Sequence, residues 1–243
     1  MAIKEIIYFD EPGPANSEAL LKLAIKRIDE LGIKRVVMAT QAGVTAKQFL
    51  ELTKDNRRHD IVAVTNRKGG TLLVTTIYNK YKKSKAIRED YENKGITHFQ
   101  ASIDEETCRE LEKEGVTVLY LEDVLDFGDP WGLDGDKLSK IDEEWKRKRA
   151  KLSPFIPAHL RPLDIEAGTD LSLLNIISMG FRVAVGVAAA AVRYGIVEQG
   201  ETVLATAGTG FAGGGADTGI IVEARANAKA CWRREIIGFP VQK

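Results

Sequence analysis

Residues 35–50, RVVMATQAGVTAKQFL, constrain the fold more than any other stretch of the chain. Val36, Val37 and Met38 form an unbroken apolar run, the pattern of a strand covered on both faces. Thr40, Gln41, Ala42, Gly43, Val44 and Thr45 follow as a small, mostly polar loop. Thr45 is expected to cap a helix of about residues 46–52. The first amides of a helix have no carbonyl partner within it, and the helix dipole places partial positive charge there, so such a start suits an anion. A βα turn that binds nothing has the same pattern, because every helix needs a start.

The segments before and after fit an alternating α/β chain. Residues 3–9 read as a strand, and Asp10-Glu11-Pro12-Gly13-Pro14 as a turn. Asn16 or Ser17 then caps a helix over residues 18–31, in which Leu20, Leu21, Ala24, Ile25, Ile28 and Leu31 recur at helical spacing. Strand, helix, strand in this order favours a parallel sheet with helices packed on it. Residues 60–65, DIVAVT, form another buried-strand pattern, followed by the polar Asn66-Arg67-Lys68-Gly69-Gly70. The two polar loops therefore fall at the carboxyl ends of neighbouring strands, where open α/β sheets bind ligands.

Residues 71–77 read as a strand or an exposed flap, 78–93 as a charged helix, 96–100 as a short strand, 104–114 as a helix capped by Asp104, and 116–121 as a strand. Residues 128–168 change character. Pro130, Pro154, Pro157 and Pro162 punctuate them, and Trp131 and Trp145 sit among charges. This is expected to be an insertion within one α/β domain spanning residues 1–243, covering the site or packing on another subunit. Order returns with a helix from Asp170 or Ser172 through Ser178, an Ala-rich buried helix over 181–194, and strands at 201–207, 219–224 and 234–239.

Charge excludes several functions. The 35 basic and 35 acidic side chains cancel, so no global field attracts nucleic acid or a membrane surface. The basic run at 146–151 follows Asp142, Glu143 and Glu144. The longest apolar run, 183–192, is too short to span a bilayer, and residues 1–14 lack a signal-peptide layout. Cys108 and Cys231 have no paired spacing, and His59, His98 and His159 lie far apart, so neither a disulfide framework nor a histidine metal site is expected. A cytoplasmic protein is the expectation.

The strongest local signal is the loop Gly208-Thr209-Gly210-Phe211-Ala212-Gly213-Gly214-Gly215, followed by Ala216, Asp217 and Thr218. A dinucleotide fingerprint needs a helix to start at such a loop; here GIIVEA follows, and reads as a strand. Glycine backbone can approach a ligand closely or form an anion nest, and it can equally make a flexible connection. Asp217 either faces a ligand or bonds amides of the turn. No nucleophile elbow, P-loop or Cys–His pair is present.

Taken together, TQAGVTAKQFLE, DIVAVTN and ETVLATAGTGFAGGGADTGIIVEA resemble the C-terminal domain of pyruvate kinase. With YFDEPGPANSEALLKLAIKRIDELGIKRVV, the chain looks like a stand-alone family of archaeal and bacterial proteins that carry this fold without the kinase barrel. The likeness covers about residues 3–65, 104–121 and 169–243. It implies a three-layer α/β/α domain with a mostly parallel sheet and no pyruvate kinase activity. It further implies phosphate binding by Thr40, Gln41, Gly43 and Thr45, with the glycine loop closing over the ligand. Gln41, Ala42 and Val44 stand where the kinase loop carries a serine and a basic residue, so a ligand with a single phosphate, such as flavin mononucleotide (FMN), fits better than a doubly phosphorylated sugar.

The expected function is therefore binding of a phosphate-bearing small molecule by Thr40–Thr45, Thr65 and Asn66, and the Gly208–Thr218 loop, with Asn16 and Ser17 along the same edge. The alternatives are an enzyme that uses a flavin or a phosphorylated substrate there, and an oligomeric structural protein with a vestigial pocket. A homo-oligomer, a dimer first, is expected from the frequency of such symmetry.

Overall fold

Among the described residues, nine strands and five α-helices follow one another in an order that brings the polar loops of the sequence to one edge of a sheet. The structure, a computed structural model, describes residues 5–77, 82–121, 178–208 and 215–240. The proposed insertion at 128–168 and the helix expected over 170–177 lie outside the described residues, as do Thr209, Gly210, Gly213 and Gly214.

The strands are β1 (Ile7–Phe9), β2 (Arg35–Ala39), β3 (Asp60–Thr65), β4 (Thr71–Leu73), β5 (His98–Gln100), β6 (Thr117–Tyr120), β7 (Thr202–Ala207), β8 (Thr218–Glu223) and β9 (Trp232–Pro240). The α-helices are α1 (Ser17–Leu31), α2 (Val44–Leu52), α3 (Lys82–Asn93), α4 (Glu105–Lys113) and α5 (Met179–Arg193). Seven strands form one sheet in the order β1-β9-β8-β7-β2-β3-β6. Every neighbouring pair is parallel except the two that involve β8, which runs against both β7 and β9. The fold is α/β with a mostly parallel central sheet. β4 and β5 pair separately and antiparallel. Their Leu72 and Phe99 join Val74 and Ile77 in a small core of their own. The segment expected as strand or flap is thus a short strand that passes into a 3-10 turn at Val74–Thr76.

Helices cover both faces because the inner strands are apolar on both. Val37, Val62, Val64, Val203, Ala205, Ile220 and Val222 face α5. The alternate residues Val36, Met38, Ile61, Ala63, Leu204 and Ile221 face the side of α1, α2 and α4. In α5, Ala184 and Ala188–Ala191 are fully buried, and these short side chains let the helix lie close on β2, β7 and β8. In α1, Leu20, Leu21, Ala24 and Ile28 form the buried stripe. Burying a side chain such as Phe49 or Phe181 contributes about 1.5–3 kcal/mol each.

Two helix starts differ from expectation. α2 begins at Val44, and its N-cap is Gly43 in the left-handed conformation (φ 77°), with no side chain capping it. A Cβ at Gly43 would lie 2.7 Å from Thr107 Cγ2 and 3.3 Å from Leu111 Cδ1 of α4. The residue there must therefore be small as well as able to turn left-handed. Thr45 is a buried residue of the first turn rather than the cap. Ser178, expected as the end of a helix, starts one: it is the extended N-cap of α5, and its Oγ accepts from the Phe181 amide at 3.0 Å. Among the described residues no helix is long and apolar enough to cross a membrane.

Candidate functional site

The carboxyl ends of β1, β2, β3, β6 and β7 share one edge of the sheet with the start of the reversed strand β8. Asn16, Ser17, the Thr40–Thr45 loop, Thr65, Asn66, Gly208, Gly215, Asp217 and Thr218 all fall there. They divide into a group whose polar atoms are satisfied internally and a group whose polar atoms are not.

The satisfied group centres on Asp217, which is fully buried. Its Oδ2 accepts from the Gly13 amide at 3.0 Å, and its Oδ1 from the Thr218 hydroxyl at 3.0 Å. Both oxygens accept, as a carboxylate's do. With its hydroxyl committed to Asp217, Thr218 Oγ1 can receive the Ser178 hydroxyl at 3.2 Å. Gly180, in the first turn of α5, has room for nothing larger, since a Cβ there would come within 2.3 Å of Thr218 Oγ1. Asp217 thus lies against the starts of α1 and α5, where a negative group is stabilised by the unpaired amides and the helix dipole. Gly215 (φ 102°) packs against the turn before α1, where a Cβ would meet Pro14 Cα at 2.5 Å and Ser17 Oγ at 2.8 Å. Asn16 donates through Nδ2 to the Glu11 carbonyl at 2.6 Å. Asn66 donates to the Ala101 carbonyl at 2.6 Å, and Thr65 Oγ1 accepts from the Ile103 amide at 3.2 Å. Tyr120, at the end of β6, donates to the Ile103 carbonyl at 3.0 Å. Burial, and then the neighbouring Cys108 thiol, push its phenol well above the ordinary range, so it remains a donor.

The unsatisfied group is different in kind. Among the described residues, the buried side-chain oxygens with no hydrogen-bond partner are five hydroxyls: Ser17, Thr40, Thr45, Ser102 and Thr206. All five lie at this edge. Thr40 continues β2, with its amide donating to the Val64 carbonyl at 2.9 Å. Thr206 is the next-to-last residue of β7 and pairs with Met38. Alternation along the strands puts both on the face of α1, α2 and α4. Ser17 and Thr45 sit in the first turns of α1 and α2, and Ser102 precedes α4. An unsatisfied buried hydroxyl costs about 1–3 kcal/mol, so five on one face of one edge mark the place where a hydrogen-bonding ligand would recover most.

The start of α2 adds donors. Its first bond within the helix runs from the Lys47 amide to the Gly43 carbonyl at 3.0 Å. No side chain caps it, which leaves the amides of Val44, Thr45 and Ala46 without partners in the helix. Among the described residues, the buried carboxylate of this edge, Asp217, lies by Gly13 and Gly180 and not by this helix start. Gln41 is half-buried and Ala42 exposed, so the loop is reached from outside. Two basic side chains of these loops are paired with acids, Lys47 with Glu110 at 2.6 Å and Lys68 with Glu105 at 2.9 Å.

The sequence singled out Thr40, Thr45 and Ser17 but not Ser102, Ser178, Thr206, Gly13 or Pro14. Thr206 carried a legible sign, a lone hydroxyl near the end of the apolar strand TVLATA. Ser102 carried none, because a serine in a short polar connection is unremarkable. Among the described residues, open clefts elsewhere include one of about 370 Å³ between α2 and α4 and one of about 570 Å³ at the opposite edge of the sheet. Among the described residues no group of three or more His, Cys, Asp or Glu side chains is placed to hold a metal ion. No protein-family model matches the chain.

Proposed function

We propose that the start of α2, together with the hydroxyls of Thr40, Thr45 and Thr206, binds the phosphate of a small molecule. The observation that carries this reading is the set of buried, partnerless hydroxyls on the same face and edge as an uncapped helix start. Amides and hydroxyls are the donors that a phosphate accepts from. The likeness of residues 40–51 to the phosphate loop of the pyruvate kinase C-terminal domain supports it. Gly215, at the end of the glycine-rich loop, packs on Pro14, and Asp217 beside it bonds the Gly13 amide. The pairing of Lys47 and Lys68 with acidic side chains favours one phosphate over two, and FMN is the first candidate to try. When bound, it would bring redox chemistry of its own; the described residues offer its phosphate donors.

The test is thermal unfolding with inorganic phosphate and, separately, FMN, alongside absorbance of the purified protein in the flavin bands. Binding to the native state alone stabilises by about 2.7 kcal/mol at a hundred times Kd, so the melting temperature should rise. The rise should be lost in Thr45→Val. A colourless protein whose melting temperature neither ligand moves, or an unchanged response in Thr45→Val, would overturn the proposal.

A further inference from the structure

At the opposite edge, β8 ends and β9 begins around an open cleft of about 570 Å³ lined by Glu223, Arg225, Ala230, Trp232, Arg233 and Arg234. The connection between the strands is held in shape. The Arg225 amide donates to Cys231 Sγ at 3.4 Å, and the Cys231 thiol donates back to the Arg225 carbonyl at 3.4 Å. Arg193 of α5 donates to the Ala226 carbonyl at 3.0 Å, and the Ala226 amide to Gln199 at 3.1 Å. The cleft is therefore built on a braced turn.

Its charge is unbalanced. Arg225 bonds one oxygen of Glu223, and Arg234 the other at 2.8 Å. The Arg234 guanidinium first, then that of Arg225, hold the Glu223 carboxyl below the ordinary carboxylate range. That leaves one carboxylate against three guanidiniums. Arg233 pairs with Val222 in the β8-β9 ladder, and its guanidinium has no hydrogen bond or ion pair among the described residues. Beside it Trp232 is 69 % exposed, the most exposed of the large apolar side chains described. The cleft between α2 and α4 makes the contrast: Lys47 and Arg57 there are neutralised by Glu110 and Glu114.

Tryptophan and arginine are the residue types most enriched at the energetic centres of protein interfaces. A small molecule would be poorly enclosed, since ligand pockets bury most of their occupant and here the indole itself is mostly uncovered. A nucleic acid needs a track of phosphate contacts, and three clustered arginines, two of them bound to one glutamate, on a neutral chain do not make one. A second copy meeting this patch through the same patch would set Arg233 against arginine, which like charge opposes. An acidic segment meets none of these objections: its carboxylates pair with guanidiniums, and an apolar side chain covers the indole.

We propose that this cleft docks an acidic polypeptide segment of a partner protein, with Arg233 and Trp232 as its anchors. The probe is a fluorescein-labelled peptide of alternating glutamate and leucine with one central phenylalanine, followed by fluorescence anisotropy at low salt. The controls are the same peptide with lysine for glutamate and a labelled single-stranded thymidine oligonucleotide. The acidic peptide should bind saturably and weaken as salt rises. Trp232→Ala and Arg233→Gln should each reduce its affinity by about tenfold or more, some 1.4 kcal/mol, with unchanged circular dichroism and melting temperature. Lack of saturable binding, equal binding by the variants, or tighter binding of the oligonucleotide would overturn the proposal. So would self-association of the protein that Trp232→Ala abolishes, which would assign the cleft to a second copy.

Discussion

The backbone amide of Gly13 donates to Asp217 Oδ2 at 3.0 Å, across 204 residues of sequence. This bond ties the turn that leaves the edge strand β1 to the entry of the one reversed strand in the sheet. The same carboxylate takes the Thr218 hydroxyl, so Asp217→Ala strands the buried Gly13 amide and removes one acceptor of the Thr218 hydroxyl. The variant should lose about 2–4 kcal/mol in urea unfolding. A loss under 1 kcal/mol would show that the contact is incidental.

Gly215 lies against Pro14 on the same seam. Gly215→Ala incurs both a left-handed backbone and a Cβ placed 2.5 Å from Pro14 Cα. Gly69 has a similar positive φ of 70° and open space around it. Gly69→Ala should therefore cost about 1 kcal/mol from backbone strain alone, and Gly215→Ala clearly more. Equal melting temperatures for the two variants would mean that the approach to Pro14 relaxes freely.

Thr206→Val removes a partnerless buried hydroxyl at nearly constant shape. Without ligand, the variant should be as stable as the parent or more stable, by up to about 1–3 kcal/mol. With inorganic phosphate present, the order should reverse, because the parent alone gains the bond. Urea unfolding with and without phosphate reads both signs, and destabilisation of the ligand-free variant would show that the hydroxyl is satisfied internally.

Asp104 caps α4, with Oδ1 accepting from the Thr107 amide at 2.8 Å and Oδ2 from its hydroxyl at 3.0 Å. The amide bond is the main cause that lowers its carboxyl below the ordinary 3.8. A lowered carboxyl contributes stability that is present above its unfolded value and lost as the pH falls through its folded value. Asp104→Ala should therefore cost about 1 kcal/mol at pH 7. The gap to the parent should narrow only below about pH 3.8. A gap that closes between pH 5 and 7 would contradict the cap.

Much of the architecture was legible because local pattern and tertiary need coincide here. The apolar runs at Arg35–Ala39 and Asp60–Thr65 admit only buried strands, and the stripe of Leu20, Leu21, Ala24 and Ile28 only a helix lying on them. The edge that collects the polar loops follows from strand–helix alternation, since each parallel strand must end on the same side. The helix starts were less legible. Gly43 displaced Thr45 as the cap of α2 because α4 approaches too closely for a Cβ, a contact that no local pattern records.

Burial of apolar periodicity is enough to dictate the alternation of strand and helix, and hence a mostly parallel sheet with its polar loops at one edge. Which polar groups at that edge are engaged depends on contacts between segments distant in the chain. Asp217 and Thr218 find partners in Gly13 and Ser178, far away along the chain, while Ser17, Thr40, Thr45, Ser102 and Thr206 find none among the described residues. A hydroxyl looks the same in sequence whether its partner is present or missing, because hydrogen bonding is settled by the packing of distant segments and not by neighbours in the chain.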